Sequence, residues 1–281
     1  MLIVTGANGT LGKLVVERLL ARIPASQLGV SVREPQQAQA LAERGVRVRR
    51  GDFEEPASLP HAFEGAAQIL IISASATGEV AYRRHQAAIG AAVAAGAKRI
   101  LYTSHMGASP ASRFAPMRAH AQSEQLLAAC GVPYVSLRNG FYASAALRSL
   151  IPALQSGTLA APADGPVSWT AHADLAEAAA IAMTSEPFRG ISPPLTAGIA
   201  QDFGDLARVA SELTGSRVAR VIVSDDAYRA ELAKHMPAGR AELLTDMFLA
   251  ARAGEFAKVD PTLAQLLGRA PQTVRDLLAS R

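Results

Sequence analysis

The sequence is poor in cysteine: one thiol, Cys130, occurs in 281 residues. A single cysteine excludes an internal disulfide framework and leaves too few thiols for a structural zinc site. The six histidines show no paired ligand spacing, so we expect no metal centre. This composition is typical of the reducing cytoplasm, where we expect this protein to work.

Long apolar runs and clustered charge are also missing. The run at 69–72 is far shorter than the roughly 20 residues that span a bilayer, and no basic segment precedes the first apolar stretch. We therefore expect neither a membrane anchor nor an export signal. The net charge is +4 and the pI about 9.5, yet the cations are scattered rather than gathered in a stripe. This pattern favours a small anionic ligand over nucleic acid.

Short β-rich runs alternate with helical segments through the first half of the chain. They lie at 2–4, 28–32, 46–48, 69–72, 100–103 and 134–137. This alternation indicates βαβ units and a parallel sheet, and the nearly continuous apolar character of the runs indicates helices on both faces. The sequence therefore predicts an α/β protein with a Rossmann-type, doubly wound parallel sheet.

After Tyr142 this alternation weakens and the chain becomes alanine-rich helix, broken by a turn cluster at 162–166. Another β-like run follows at 195–197, and helices are predicted at 243–252 and 261–267. We expect residues 1–150 to form the sheet domain and residues 151–281 to form a smaller, mainly helical lobe. Strands of this lobe could return to the main sheet.

A glycine-rich loop follows the first predicted strand. In Thr5-Gly6-Ala7-Asn8-Gly9-Thr10-Leu11-Gly12 the glycines are spaced G-x-x-G-x-x-G, and apolar residues then recur at helical spacing. Gly6 permits a tight turn, Gly9 lets the backbone approach a pyrophosphate, and Gly12 lets the helix pack close to the sheet. The loop and the helix N-terminus would thus bind the anion of a dinucleotide.

The residues after the next three predicted strands bear on which dinucleotide binds. Arg33 favours the 2′-phosphate of NADP(H) or is a plain surface residue, whereas Glu34 could bind the ribose hydroxyls of NAD(H). Asp52 and Phe53 could flank adenine, or Asp52 could cap a helix. The small residues at 73–75 would let the nicotinamide ribose pass close to the chain, or they are plain loop residues.

Five segments, taken in order, resemble a known family. They are Val4-Thr5-Gly6-Ala7-Asn8-Gly9, Ser31-Val32-Arg33, Gly51-Asp52-Phe53, Leu101-Tyr102-Thr103-Ser104 and Leu137-Arg138-Asn139-Gly140-Phe141-Tyr142. The chain resembles the NmrA-like atypical short-chain dehydrogenases over nearly its whole length, especially the branch of NAD(P)H:quinone oxidoreductases and triphenylmethane reductases. We therefore expect residues 1–150 to be an NADP-binding Rossmann domain and residues 151–281 to be a substrate-binding lobe.

The motifs and the resemblance together give one set of predicted binding residues. For the cofactor they are Gly6, Ala7, Asn8, Gly9, Thr10, Leu11, Gly12, Arg33, Asp52, Phe53, Ser73, Ala74, Ser75, Thr103, Ser104, Arg138, Asn139, Gly140, Phe141 and Tyr142. The resemblance also implies that Trp169 and His172 lie near the nicotinamide and the mouth of the substrate site. Tyr142 joins them as a predicted substrate-binding residue.

The Tyr-x-x-x-Lys pair of many short-chain dehydrogenases is absent. None of the five tyrosines has a lysine four residues on, and no lysine lies between Lys98 and Lys234. Such a pair lets the phenol exchange a proton with a carbonyl substrate, so ordinary alcohol–ketone catalysis is disfavoured. Hydride transfer to a quinone or a cationic dye has less need of an internal acid, and positioning could suffice. Phe141, Tyr142 and Trp169 are candidate walls of an apolar cleft, or else core residues.

Two histidines are candidate catalytic groups. His120 and Glu124 are four residues apart on one predicted helix, hence on one face, and we favour a surface pair there over a proton donor. His105, which follows Ser104 after the fifth predicted strand, could hydrogen-bond the cofactor or the substrate.

The favoured function is an NADPH-dependent reductase of quinones or similar flat conjugated acceptors, with NAD(H) as the alternative cofactor. A non-catalytic NmrA-like regulator that senses the dinucleotide is the first alternative, because it would also lack the dyad. An isomerase or epimerase comes third, since no proton-shuttling tyrosine can be assigned. The expected partner is a small-molecule electron acceptor, and the oligomeric state is open, a homodimer included.

Overall fold

The computed structural model describes residues 1–280. The strands are β1 (Leu2–Thr5), β2 (Leu28–Val32), β3 (Arg47–Arg50), β4 (Gln68–Ile71), β5 (Arg99–His105), β6 (Tyr134–Asn139), β7 (Phe141–Tyr142), β8 (Thr158–Pro162), β9 (Trp169–Thr170), β10 (Gly190–Ile191) and β11 (Ala219–Val223). The α-helices are α1 (Thr10–Leu20), α2 (Gln39–Glu43), α3 (Leu59–Phe63), α4 (Gly78–Ala94), α5 (Ala115–Ala129), α6 (Ala143–Ser156), α7 (His172–Ser185), α8 (Phe203–Thr214), α9 (Asp225–Ala233), α10 (Ala238–Arg252), α11 (Thr262–Leu267) and α12 (Val274–Ala279).

Seven strands form one parallel sheet in the order β10-β6-β5-β4-β1-β2-β3. Val4 of β1, for example, pairs with Val30 of β2 on one side and with Leu70 of β4 on the other. Since all strands run in one direction, their carboxyl ends meet at the same edge, and the winding of the chain reverses between β1 and β4. The predicted Rossmann-type, doubly wound sheet is confirmed.

Successive residues of the central strands face opposite layers of helices. Val4 and Leu70 pack in one core with α1 and α7, whereas Ile3 and Ile69 pack in a second core with α3, α4 and α5. All four side chains are fully buried. These strands therefore have no polar face, which explains their continuous apolar sequence.

The six strands predicted in the first half of the chain are all present. The third runs over Arg47–Arg50 rather than 46–48, and its outer arginines form ion pairs: Arg49 with Glu64 and Arg50 with Glu55. The helices predicted at 243–252 and 261–267 correspond to α10 and α11. The apolar pattern thus located these elements, with shifts at their ends.

The prediction of a strand at 195–197 is wrong. Leu195 alone pairs there, in an isolated parallel bridge with Asn139. The backbone N–H of Ala197 donates instead to the hydroxyl of Thr170, 3.0 Å away. A side-chain acceptor therefore replaces the strand neighbour that a longer ladder would need.

A second, mainly helical unit packs around its own core. Trp169, Phe203 and Phe248 are buried in it, between α6, α8 and α10. Two elements beyond residue 150 pack instead with the first unit: α7 contacts α1, and β10 pairs with β6. The domain boundary at residue 150 stays a prediction. No helix within residues 1–280 is both long and apolar enough to cross a membrane.

The close approach at Gly12 gives a test of this packing. A Cβ at Gly12 would overlap the carbonyl oxygen of Gly6 and lie 2.8 Å from the Cα of Ala7. Gly12→Ala should lower the free energy of unfolding by about 1 to 3 kcal/mol, the usual cost of overpacking. Urea unfolding followed by circular dichroism measures this change.

The matched control is Gly90→Ala in α4, where nothing lies within 4 Å of the added Cβ. Helix propensity predicts a gain of about 0.5 to 1 kcal/mol there. The same change of residue should therefore have opposite signs at the two positions. Similar effects at both would contradict the close packing of α1.

Candidate functional site

A cavity of about 450 Å³ opens at the carboxyl edge of the sheet, where the chain leaves β1, β2, β3 and β4. Open α/β sheets bind their ligands at this edge, next to the point where the winding reverses. Half of the cavity-lining residues belong to the predicted cofactor set: Gly6, Asn8, Gly9, Arg33, Asp52, Phe53, Ser73, Ala74 and Ser75.

The glycine loop forms one wall of this cavity. Gly6 has φ +62°, a left-handed conformation that favours glycine, and its N–H donates to the carbonyl of Ser31 at 3.0 Å. Gly9 precedes α1, and no side chain caps this helix. The first N–H groups of α1 have no intrahelical acceptors, as in any helix, and here they have no side-chain acceptor either. Together with the helix dipole, they favour a bound anion.

Arg33 and Glu34, the two candidates for choosing the dinucleotide, lie differently in the cavity rim. The exposed Arg33 makes no hydrogen bond or ion pair with any other residue of the described chain. The Glu34 carboxylate accepts a hydrogen bond from Gln37, and its backbone carbonyl accepts one from Asn8 at 3.1 Å. The rim thus presents a free cation and an engaged carboxylate, which favours a phosphate there.

Two polar groups lie on the wall beyond Arg33. The Ser31 hydroxyl is buried and has no hydrogen-bond partner within residues 1–280, so a bound ligand or water must satisfy it. The Asp52 carboxylate accepts from the N–H of Glu54 at 3.0 Å and so closes a turn rather than capping a helix. Phe53 beside it is half-buried in the wall. A hydroxyl, a carboxylate and a ring around one space fit an adenosine group.

Hydroxyl and imidazole side chains hold the segment after β4 in place. Thr103 Oγ1 accepts from the N–H of Ser73 at 2.9 Å, and His85 Nε2 accepts from the N–H of Ala74 at 2.9 Å. The N–H of Ile72 donates to Thr5 Oγ1, also at 2.9 Å. Three consecutive N–H groups thus have fixed partners, so this wall of the cavity is rigid.

The other predicted cofactor residues lie outside this cavity. Four of them begin α1 or pack it onto the sheet: Ala7, Thr10, Leu11 and Gly12. The remainder continue the same sheet edge past the cavity, at the ends of β5 and β6: Thr103, Ser104, Arg138, Asn139, Gly140, Phe141 and Tyr142. The cavity therefore spans one half of the predicted cofactor site.

Glu124 does not form the surface pair with His120 that the sequence favoured. Its carboxylate is buried, with 5% of the residue exposed, and accepts from Ser104 at 2.8 Å and Ser136 at 2.9 Å. Arg138 also donates to it twice, at 2.9 and 2.6 Å. The carboxylate thus accepts four hydrogen bonds, which offset the desolvation of its charge. Arg138 is therefore already paired beneath the cleft.

Three histidines lie close together where β5 meets α4 and α5. The Tyr102 hydroxyl lies 2.9 Å from His120 Nδ1 and 3.4 Å from His85 Nδ1, and the rings of His105 and His120 stack with centroids 6.3 Å apart. Burial lowers the pKa of His85 to about 3 and that of His120 to about 4, and it lowers the pKa of His105 as well. All three imidazoles are therefore neutral near pH 7.

The predicted substrate residues separate into two groups. Trp169 is 2% exposed, and its indole N–H donates to the carbonyl of Gln201 at 2.9 Å, so it belongs to the core of the second unit. Tyr142 and His172 are only partly buried, and their rings lie 4.2 Å apart. The structure thus brings together Tyr142 and His172, and it leaves Trp169 beneath them.

A family model described as NAD(P)H-binding matches residues 6–185, which include the glycine loop and the cavity-lining segments after β2, β3 and β4. The chain belongs to this NAD(P)H-binding family. Quinone oxidoreductase 2 of Escherichia coli is 35% identical to it over 280 residues, which is 98% of this chain and 96% of that protein.

Two further relatives of this NAD(P)H-binding protein extend the likeness. An NmrA-like family domain-containing oxidoreductase of Aspergillus flavus is 30% identical over 283 residues, covering 98% of this chain and 92% of that one. The crystal structure of Citrobacter sp. triphenylmethane reductase complexed with NADP(H) has a TM-score of 0.93 and 31% identity, covering 100% of this chain and 99% of that one. The resemblance to NmrA-like proteins is therefore confirmed.

Sequence reasoning missed several residues that build the site of this NAD(P)H-binding protein. Thr5 and Ser31 end strands next to the cavity, so their hydroxyls could have been suspected from their positions. His85 gave no signal, because it is a single histidine within a helical pattern. Tyr102 has no lysine four residues on, and its contacts come from two other elements, α4 and α5.

The histidines with lowered pKa values should make the folding stability fall at mildly acidic pH. In the unfolded chain they bind protons near pH 6.5, whereas in the folded chain their lowered pKa values keep them neutral. Folding stability should therefore be complete above pH 6.5 and fall as the pH drops, by up to about 1.4 kcal/mol per pH unit for each histidine. The loss from His85 between pH 7 and pH 5 should be about 1 to 2 kcal/mol.

Urea unfolding at pH 7 and pH 5 of wild type and His85→Asn measures this contribution. The variant should lose less stability on acidification than wild type, although it is less stable at pH 7. His235→Asn is the matched control, since His235 is exposed and lies in a different part of the chain. The same pH dependence in His85→Asn and wild type would contradict the neutral, buried state of His85.

Proposed function

We propose that this protein is an NADPH-dependent reductase that passes hydride to a quinone or a similar flat conjugated acceptor, without a Tyr-x-x-x-Lys dyad. The observation that carries the proposal is the unpaired Arg33 at the rim of a cavity whose other wall is a glycine loop and an uncapped helix N-terminus. The relatives named as quinone oxidoreductase and triphenylmethane reductase support the choice of acceptor.

The cavity-lining residues suit the phosphates and the adenosine of this cofactor. In the proposed arrangement the glycine loop and α1 bind the pyrophosphate, Arg33 binds the 2′-phosphate, and Ser31, Asp52 and Phe53 surround the adenosine. The segment at 73–75 lies under the nicotinamide ribose. When bound, the cofactor supplies the hydride from C4 of its nicotinamide ring.

The acceptor would lie beyond that segment, against side chains from both units. Tyr142 and His172 offer adjacent, partly exposed rings, and His120 offers a neutral imidazole. Phe141 packs edge-to-face on His105 behind them, with centroids 5.2 Å apart. These rings make a largely apolar wall that can hold a flat acceptor and exclude water. We propose residues 151–281, with His172, as the substrate-binding lobe.

The absence of the dyad suits such an acceptor. Tyr102 is the tyrosine nearest to the histidine cluster, but burial raises its pKa above the ordinary value, so it is a poor acid. Hydride transfer to a quinone leaves an anion delocalised over the ring, which needs positioning more than an internal acid. We further propose that the reaction takes place in the reducing cytoplasm, since Cys130 is a free thiol.

Cofactor oxidation with a panel of acceptors tests the proposal. The purified protein should oxidise NADPH faster than NADH with quinones and triphenylmethane dyes, and it should leave simple ketones unreduced. Loss of nicotinamide absorbance measures each rate. Tight NADPH binding without turnover of any acceptor would refute the reductase and favour a dinucleotide-sensing regulator.

Arg33→Ala tests the choice of cofactor. Loss of a charge-assisted contact to the 2′-phosphate, of about 1.5 to 3 kcal/mol, should raise the KM for NADPH on the order of 10- to 100-fold. The KM for NADH should not change. Arg18→Ala is the matched control. Arg18 is an exposed arginine in the last turn of α1, away from the helix start, and its loss removes the same charge. Equal changes for NADPH and NADH in Arg33→Ala would contradict the phosphate contact.

A further inference from the structure

The hydrogen bonds of His85 fix which of its nitrogens carries the proton. The N–H of Ala74 donates to Nε2 at 2.9 Å, so Nε2 is an acceptor and the hydrogen of the neutral ring is on Nδ1. Nδ1–H then donates to Ser123 Oγ at 2.7 Å, and Ser123 Oγ donates in turn to the carbonyl of Ala119 at 2.8 Å. His85 therefore has no free acceptor for a further proton.

This arrangement also fixes the tautomer of His120. The Tyr102 hydroxyl has one hydrogen and two nearby ring nitrogens, His120 Nδ1 at 2.9 Å and His85 Nδ1 at 3.4 Å. Since His85 Nδ1 already carries a hydrogen, Tyr102 donates to His120 Nδ1. The neutral ring of His120 must then carry its own hydrogen on Nε2.

The Nε2–H of His120 is the donor that remains available. His120 is half-buried as a residue, and this nitrogen makes no hydrogen bond to another residue of the described chain. The stacked His105 is also held with its hydrogen on Nε2, because the N–H of Gly107 donates to its Nδ1 at 3.0 Å. His105, however, is 9% exposed and enclosed by Phe141 and Phe256.

We propose that His120 Nε2–H donates a hydrogen bond to the carbonyl oxygen of the acceptor, and that Tyr102 sets this role by fixing the tautomer. The proposal rests on the reductase function proposed above. It also names the preferred substrate class: acceptors whose reduction places negative charge on oxygen, such as quinones, rather than cations.

The chemistry balances without a proton from His120. One hydride, which is two electrons and a proton, passes to the quinone, and NADP⁺ is left. The hydride forms an O–H bond at one carbonyl oxygen of the quinone, and the displaced π electrons shift through the ring onto the second oxygen, which gives a hydroquinone monoanion. A neutral N–H that already points at this oxygen stabilises the developing charge, and a proton from solvent completes the hydroquinone. A cationic dye accepts the same hydride to give a neutral product, so no oxyanion forms.

His120→Phe tests the proposal with two acceptors in one protein. The kcat for a quinone should fall on the order of 10²-fold, the typical cost of one lost oxyanion donor. The kcat for a cationic triphenylmethane dye should fall much less, because no oxyanion forms on it, and fluorescence titration with NADPH checks that the cofactor site is intact. His120→Gln should restore part of the quinone rate, since a carboxamide can accept from Tyr102 and donate to the acceptor. His235→Phe, at an exposed histidine, is the control.

Nitrogen-15 NMR of histidine side chains gives a readout that needs no turnover. Wild-type His120 should show the Nε2–H tautomer. In Tyr102→Phe, His120 should show a mixture of the Nε2–H and Nδ1–H tautomers. An Nδ1–H tautomer in the wild type would overturn the proposal. If the wild type does not reduce the cationic dye, the proposal is tested by this tautomer together with the quinone rate of His120→Phe.

The possible failures are distinguishable. If the wild type fails to oxidise NADPH with every acceptor in the panel, the reductase function itself is refuted. An active wild type whose His120→Phe variant keeps its quinone rate, or loses quinone and dye rates equally, refutes the donor role alone. The second of these outcomes would mean that His120 only maintains the fold.

Discussion

The contact between the backbones of Gly6 and Gly12 is the constraint on which the site depends. It lets α1 begin directly against the end of β1, because any side chain on Gly12 would overlap the Gly6 carbonyl. Since the seven strands are parallel, the loops after β2, β3 and β4 end at the same edge and close a cavity around that helix start. In the proposed arrangement, backbone N–H groups rather than a charged side chain would form the centre of the anion site.

Two arginines near this edge have opposite roles. Arg138 is paired with the buried Glu124, and the serine hydroxyls of Ser104 and Ser136 complete that carboxylate's hydrogen bonds, so its charge is neutralised locally. Arg33 lies exposed at the cavity rim without an ion pair in the described part of the chain. Only an arginine of the second kind can discriminate between dinucleotides, because its charge is still available to a phosphate.

The sequence predicts the features that depend on local pattern. The strand runs, the glycine spacing and the position of Arg33 after β2 are all read from neighbouring residues, and the fold class follows from them. It does not predict features that depend on which side chains meet in space. The Glu124–Arg138 pair joins α5 to β6, the burial of Trp169 depends on Gln201, and Leu195 pairs alone because Thr170 takes the next N–H. Each of these needs the packed structure.

The histidines connect the cavity wall after β4 to the proposed acceptor wall. His85 holds the backbone at Ala74, and Tyr102 holds His120, so both walls are fixed before any ligand binds. In the proposed reaction, hydride passes directly between groups held in this cleft. Single-turnover oxidation of NADPH deuterated at either face of C4, with a quinone as acceptor, tests it most directly. One of the two labelled forms should slow the reaction and the other should not; equal rates with both forms, or no oxidation, would contradict the account.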